Sequence, residues 1–153
     1  MKYFIVGYMA SGKTTFGQVF AREEGLPFID LDVAVEERAG CSIPDLFATR
    51  GEACFRELER QVLHELGDSD RNFVLATGGG TPCFFDNMDY MNSRGETLFL
   101  DTPLEVLVER LLRLRASRPL LSNVRDEELQ DFVERHRASR LPFYTLAKRI
   151  IND

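Results

Sequence analysis

The residues best suited to chemistry stand in the run Gly7-Tyr8-Met9-Ala10-Ser11-Gly12-Lys13-Thr14, which fits the pattern GxxxxGK[ST]. Set between a strand and a helix, such a loop turns backbone N–H groups and an open helix N-terminus toward a bound anion. The expected nucleotide-phosphate contacts are therefore Ala10, Ser11, Gly12, Lys13, Thr14 and Thr15. Gly12 lets the backbone curl closely, Lys13 adds a point charge, and the Thr14 hydroxyl is offered to Mg2+. A second group, Phe28-Ile29-Asp30-Leu31-Asp32, ends an apolar run in two carboxylates. Alternation along an extended chain puts Asp30 and Asp32 on one face, where one holds Mg2+ through water and the other accepts a hydroxyl proton from an acceptor. The plainer reading of such an aspartate is a cap on the following helix.

Three arginines and a glycine run complete the set. Arg56 falls in the first turns of a helix after Gly51, off the apolar stripe that Phe55 and Leu58 mark, and Arg140 stands just before Leu141-Pro142-Phe143-Tyr144. Arg118 lies beside Pro119 in a basic stretch, about 113–122, that has no clear apolar period and reads as a mobile loop. Singly, each arginine reads as a solvated surface charge. Together, two fixed guanidiniums suit a small acidic acceptor and a third suits a lid closing over the nucleotide. Gly78, Gly79 and Gly80 would let a substrate approach the backbone, or serve as a plain strand-to-helix turn.

Other phosphate-loop classes fit less well. Neither NKxD nor DxxG occurs in the chain, which removes the guanine-reading and switch motifs of a GTPase, and the third apolar run ends in glycines instead of the Asp-Glu of a motor ATPase. A small-molecule kinase is the better class.

These residues need a scaffold. Apolar runs at Tyr3–Val6, Pro27–Leu31, Phe73–Ala76, Thr97–Leu100 and Arg149–Ile151 read as five strands. Between them lie helical patterns from Lys13 to Gly25, Val33 to Ala39, Pro44 to Thr49, Glu52 to about Leu66, Phe84 to Ser93, Pro103 to Leu112 and Asp126 to Arg140, the last expected to stop before Pro142. Strands alternating with helices imply a parallel sheet covered on both faces, a three-layer α/β sandwich whose ligands bind beyond the carboxyl ends of the strands. Every motif above sits at or just after such an end.

Composition narrows the partners. A chain of 153 residues suits one domain, 1–153, and its 19 basic against 25 acidic side chains leave a net charge of −6, which disfavours nucleic acid. Cys41, Cys54 and Cys83 are odd in number and widely spaced, and are expected to be buried, reduced thiols. No stretch has the length of a membrane span or a signal-peptide core, so a cytoplasmic protein is expected.

The motifs GYMASGKT, FIDLD, GEACFRELE, LATGGG, RPLL and RLPFY, in this order and spacing, resemble the shikimate kinases from Tyr3 to about Ile151. The resemblance implies a P-loop nucleoside-monophosphate-kinase-like fold with a five-stranded parallel sheet, a mobile lid loop, and transfer of the ATP γ-phosphate to the 3-hydroxyl of shikimate. It makes Lys13 the phosphate cradle, Thr14 the Mg2+ ligand, Asp30 its partner through water, and Asp32 the holder of the acceptor hydroxyl. Arg56 and Arg140 become the pair for the shikimate carboxylate, Gly79, flanked by Gly78 and Gly80, the backbone contact, and Arg118 the lid residue; the acceptor-binding helical segment falls at about 33–62. A monomer is expected. The family pattern also has, beyond the last strand, a loop that packs on adenine and a closing helix. The sequence here runs to Asp153, so its residues account for the phosphates more fully than for adenine. Kinases of gluconate or of nucleoside monophosphates, and an ATP-binding regulator without catalysis, are the alternatives. The first two should lack the combined FRxxE, triple-glycine and RxPxY set.

Overall fold

The computed structural model describes residues 1–114 and 125–152. Five strands, β1 (Lys2–Val6), β2 (Phe28–Asp30), β3 (Phe73–Ala76), β4 (Glu96–Asp101) and β5 (Arg149–Asn152), form one sheet in the order β2-β3-β1-β4-β5. Every pairing is parallel: Tyr3 lies opposite both Val74 and Glu96, Phe28 opposite Val74, and Leu98 opposite Arg149. Parallel neighbours require crossovers, supplied here by α1 (Lys13–Glu24), α2 (Leu31–Ala39), α3 (Ile43–Gly67), α4 (Asn87–Arg94), α5 (Leu104–Leu114) and α6 (Asp126–Tyr144).

The three layers follow from alternation along β1. Tyr3 and Ile5 pack with Phe16, Phe20 and Ala21 of α1 on one face, while Phe4 and Val6 join the larger core built with α2 to α6 on the other. Because β1 and β3 are central and covered on both sides, their apolar residues are buried in unbroken runs.

Four local features depart from expectation. The separate helices around Gly51 are one kinked element, α3, in which Gly51 takes φ 85° and breaks the axis without ending the helix. The helix expected from Phe84 begins only at Asn87, after a 3-10 turn at Thr81–Cys83. Helix α6 runs through Pro142 to Tyr144. The missing N–H forfeits a single bond within the last turn, and that turn is anchored because fully buried Tyr144 donates its hydroxyl to the Gly79 carbonyl at 2.5 Å. Finally, Arg113 and Leu114, expected in the loop, stand in the last turn of α5, while the expected lid from 115 on, Arg118 included, falls outside the described residues. The three cysteines carry free thiols, and all are half-buried where full burial was expected.

Candidate functional site

The phosphate loop leaves β1 and enters α1 as expected. Gly12 is the N-cap of α1 at φ 95°, a left-handed conformation that glycine takes without a Cβ clash, and no side chain caps the helix. The first N–H groups of α1 are thus left for a ligand. Lys13 is buried, and its Nζ donates to the carbonyls of Gly7 at 2.7 Å and Tyr8 at 2.9 Å, which folds the cation into the loop. The Ser11 Oγ is buried without a hydrogen-bond partner, an orphaned polar atom inside the cradle. Neighbouring elements brace the outer wall. Thr102, just after β4, donates to the Ser11 carbonyl at 2.8 Å, and Arg110 of α5 donates to the Ala10 carbonyl at 3.0 Å.

A cleft of about 760 Å3 opens over this loop, lined by Ala10, Ser11, Gly12, Lys13, Thr14 and Thr15 together with Asp30 and Asp32. The two aspartates are neighbours for a reason other than strand alternation. β2 ends at Asp30, whose Oδ1 caps α2 by accepting from the Asp32 backbone N–H at 2.9 Å, and Asp32 lies in the first turn of that helix. Asp30 is therefore both a cap and a site residue, since its other oxygen accepts from the Thr14 hydroxyl at 3.4 Å. A hydroxyl and a carboxylate converging beside a phosphate cradle form the oxygen donor set that suits Mg2+.

A second pocket, of about 120 Å3, adjoins the first. Ile43, Phe47 and Phe55 form its apolar wall and Arg56, Glu59 and Arg140 its polar one, and it shares Met9, Asp32, Gly78 and Gly79 with the phosphate cleft. Arg56 and Arg140 are 7% and 9% exposed, so neither is the solvated surface charge that each suggested alone. Arg56 packs over the Phe84 ring, 4.1 Å to the centroid, and its Nη1 donates to Glu59 at 3.0 Å. Arg140 lies 6.0 Å from the centroid of Tyr8. Among the described residues, no carboxylate lies within ion-pair distance of Arg140. A small pocket with two buried guanidiniums, only one of them paired with a carboxylate among the described residues, can hold an acidic ligand.

Glu59, the last residue of the FRxxE pattern, has a role that the sequence did not assign. It is fully buried, pairs with Arg56, and accepts from the Thr81 hydroxyl at 2.7 Å. Burial pushes its carboxyl above the ordinary range, against the pull of Arg56 and the Thr81 hydroxyl. The available signal was a charged residue on the buried face of α3, one turn after Phe55 and one before Val62 and Leu63. The triple glycine also has a more specific reason than substrate access. A Cβ at Gly80 would lie 2.5 Å from Arg56 Nη2, one at Gly79 would lie 3.2 Å from Arg140 Nη1, and one at Gly78 would lie 3.1 Å from Asp32 Oδ1. The glycines make room for the site's own charged side chains.

A phosphate cradle on a five-stranded parallel sheet, joined to a small pocket with buried arginines, defines a P-loop kinase of a small acidic molecule. Comparison with known proteins narrows the class, because residues 9–153 match the shikimate kinase family. The shikimate kinase of Phocaeicola vulgatus is 52% identical over 97% of this chain and 85% of its own length. The crystal structure of the Bacteroides thetaiotaomicron shikimate kinase, 49% identical, superposes with a TM-score of 0.92 over 99% of this chain and 86% of that one. That of the Acinetobacter baumannii shikimate kinase in complex with shikimate, 35% identical, gives 0.90 over 99% and 83%. The chain belongs to the shikimate kinase family.

Proposed function

We propose that this protein transfers the γ-phosphate of ATP to the 3-hydroxyl of shikimate, giving shikimate 3-phosphate and ADP. The observation that carries this reading is the convergence of buried Arg56 and Arg140 on a pocket that meets the phosphate cleft at Asp32. In this reading the carboxylate of shikimate takes the charge of Arg140 and shares Arg56 with Glu59, while the ring rests against Phe47 and Phe55. The N–H groups of the loop and Lys13 hold the ATP phosphates. Thr14, with Asp30 through water, would hold Mg2+, which would neutralise charge on the phosphate oxygens. Asp32, at the junction of the two pockets, orients the 3-hydroxyl and receives its proton as the oxygen bonds to phosphorus and the bond from phosphorus to the ADP oxygen breaks. With a loose transition state, rate comes chiefly from positioning and from positive charge near the transferred group, so Asp32 positions first and acts as a base second. Arg118 is assigned by resemblance to the ATP side as the lid residue, and the helical segment 33–62 supplies Ile43, Phe47, Phe55, Arg56 and Glu59 to the acceptor pocket within a single domain, 1–153.

We further propose that the enzyme works as a cytoplasmic monomer on small molecules alone, without nucleic acid or membrane. The net charge of −6 argues against a nucleic-acid partner, and no helix among the described residues is long and apolar enough to cross a membrane. A coupled ADP-release assay with shikimate, gluconate and nucleoside monophosphates tests the acceptor. Release with shikimate alone is expected, and release with another acceptor, or with none, overturns the assignment.

A further inference from the structure

The phosphate loop and the arginine that faces the acceptor pocket come from opposite ends of the chain, yet a side-chain hydrogen bond joins the loop to the helix that carries that arginine. Tyr8, the second residue of the loop and 1% exposed, places its hydroxyl 2.8 Å from Nδ1 of His136. His136 precedes Arg140 by one turn of α6. The two rings meet edge to face, 5.5 Å apart at 80°, and Phe132 flanks the imidazole from the preceding turn, 5.1 Å away. The Tyr8 carbonyl accepts from Lys13 Nζ and from the Ser11 N–H, so the same residue shapes the cradle through its backbone and holds α6 through its side chain. Nothing in a phosphate loop demands a tyrosine here, since the loop acts through its backbone, and a wholly buried phenol requires a partner.

We propose that the Tyr8–His136 hydrogen bond is a positioning device that fixes helix α6, and with it Arg140, against the phosphate loop, so that occupancy of one pocket is felt at the other. This rests on the reading that Arg140 holds the acceptor and Lys13 the donor phosphates. Two further contacts make α6 a rigid partner in the device. Tyr144, one turn beyond Arg140, donates to the Gly79 carbonyl, and the Gly79 Cα lies so near the loop that an added Cβ would come within 3.1 Å of the Met9 nitrogen. The protonation states suit the bond. Burial, helped by the charge of Arg140, pulls the imidazole down to about 4, and burial pushes the Tyr8 phenol up to about 12, so the hydrogen bond joins two neutral groups, with the phenol donating in the tautomer that leaves Nδ1 bare. Coupling through a packed contact with two sites on either side is reciprocal: whatever shikimate does for nucleotide affinity, nucleotide does for shikimate.

The test uses Tyr8→Phe, which keeps the ring and the backbone and removes only the hydroxyl, with His136→Leu and the double variant. ADP affinity is measured by calorimetry with and without saturating shikimate, alongside kcat, both KM values and the melting temperature. The expected result is a kcat lowered about 5- to 20-fold in each single variant, a KM for shikimate at saturating ATP raised by the factor of the lost linkage, and loss of the shikimate-dependent gain in ADP affinity. The double variant should be no worse than either single one, and His136→Asn, whose Oδ1 can stand in for Nδ1, should restore part of the loss. A lowered melting temperature with kcat and linkage unchanged, or additive losses in the double variant, overturns the proposal. So does an unaltered enzyme whose ADP affinity ignores shikimate, a result that leaves the assigned activity standing. Absence of shikimate-dependent ADP release in the unaltered protein overturns that activity and the coupling together.

Discussion

Substitution of Gly80 by alanine isolates the role of Arg56 without touching it. Gly80 has φ −96° and ψ −8°, a conformation open to any residue, so the substitution imposes no backbone strain. Its effect must come from the new methyl, which would lie 2.5 Å from Nη2 and 2.9 Å from both the Cζ and Nη1 of Arg56. An ordinary contact is about 3.5 Å, so the guanidinium must retreat by roughly 1 Å. It has little freedom to do so, being held to Glu59 at 3.0 Å and stacked over Phe84. Displacement weakens the Glu59 pair and misdirects the N–H groups that face the pocket. Loss of one charge-assisted hydrogen bond to a ligand, about 1.5–3 kcal/mol, corresponds to a rise of about 10- to 150-fold in the KM for shikimate. Forcing a methyl into this packed contact should also cost about 1–3 kcal/mol of stability and lower the melting temperature by a few degrees. Steady-state kinetics with each substrate varied in turn, together with thermal unfolding, measures both effects. The KM for ATP should stay within about 2-fold. An unchanged KM for shikimate in a folded Gly80→Ala enzyme would refute the assignment of Arg56 to the acceptor.

Arg140→Ala should raise the KM for shikimate by at least about 30-fold while sparing ATP. It should unfold the protein less than Arg56→Ala, which strands the buried Glu59 carboxylate, a contrast that thermal unfolding reads directly. Lys13→Met should abolish phosphate transfer to shikimate, and near-normal turnover in the ADP-release assay would remove the cradle role. His136 contributes a defined pH dependence. Its ordinary value of 6.5 falls to about 4 in the folded protein, chiefly through burial and secondarily through Arg140. Between these values the unfolded chain binds a proton that the native state does not, so stability drops as pH falls from about 6.5 to about 4. Solvent screening of this half-buried ring limits the effect to about 1–2 kcal/mol. The melting temperature of His136→Asn should therefore fall less steeply than that of the unaltered protein over this interval, and parallel curves would contradict the assignment.

How far the site could be read from the chain differed with the range of the interactions. The cradle was legible because its parts are consecutive: the glycine positions, Lys13 and Thr14 dictate the loop's backbone path, and the flanking apolar periods announce β1 and α1. The interior strands were legible because strands covered on both faces leave unbroken apolar runs, while the partly exposed edge strands β2 and β5 showed only short ones. The Asp30 and Asp32 pair was legible as a pair but misread in cause, since capping of α2 and strand alternation predict the same proximity from the same spacing. Glu59 escaped because an acidic residue on a helix reads as a solvated face until its partner is known, and Arg56 makes it a buried one. Pro142 reads as a stop because proline breaks helices locally, while the burial of Tyr144 that carries α6 past it comes from a distant part of the chain.

The sequence by itself determined what is short-range: a phosphate-binding loop, a parallel sheet to carry it, and a list of charged residues at strand ends. Tertiary structure alone decided which of those charges are buried and facing one another. Arg56 and Arg140 are 84 positions apart by their numbering, and their meeting at one pocket depends on α3 and α6 closing over the glycine turn. The same is true of Tyr8 and His136, separated by 128 positions and joined by one hydrogen bond. The physical reason is that backbone geometry is set by neighbours along the chain. The burial and pairing of a charge are set by whatever the fold brings against it, and those partners have no fixed spacing in sequence.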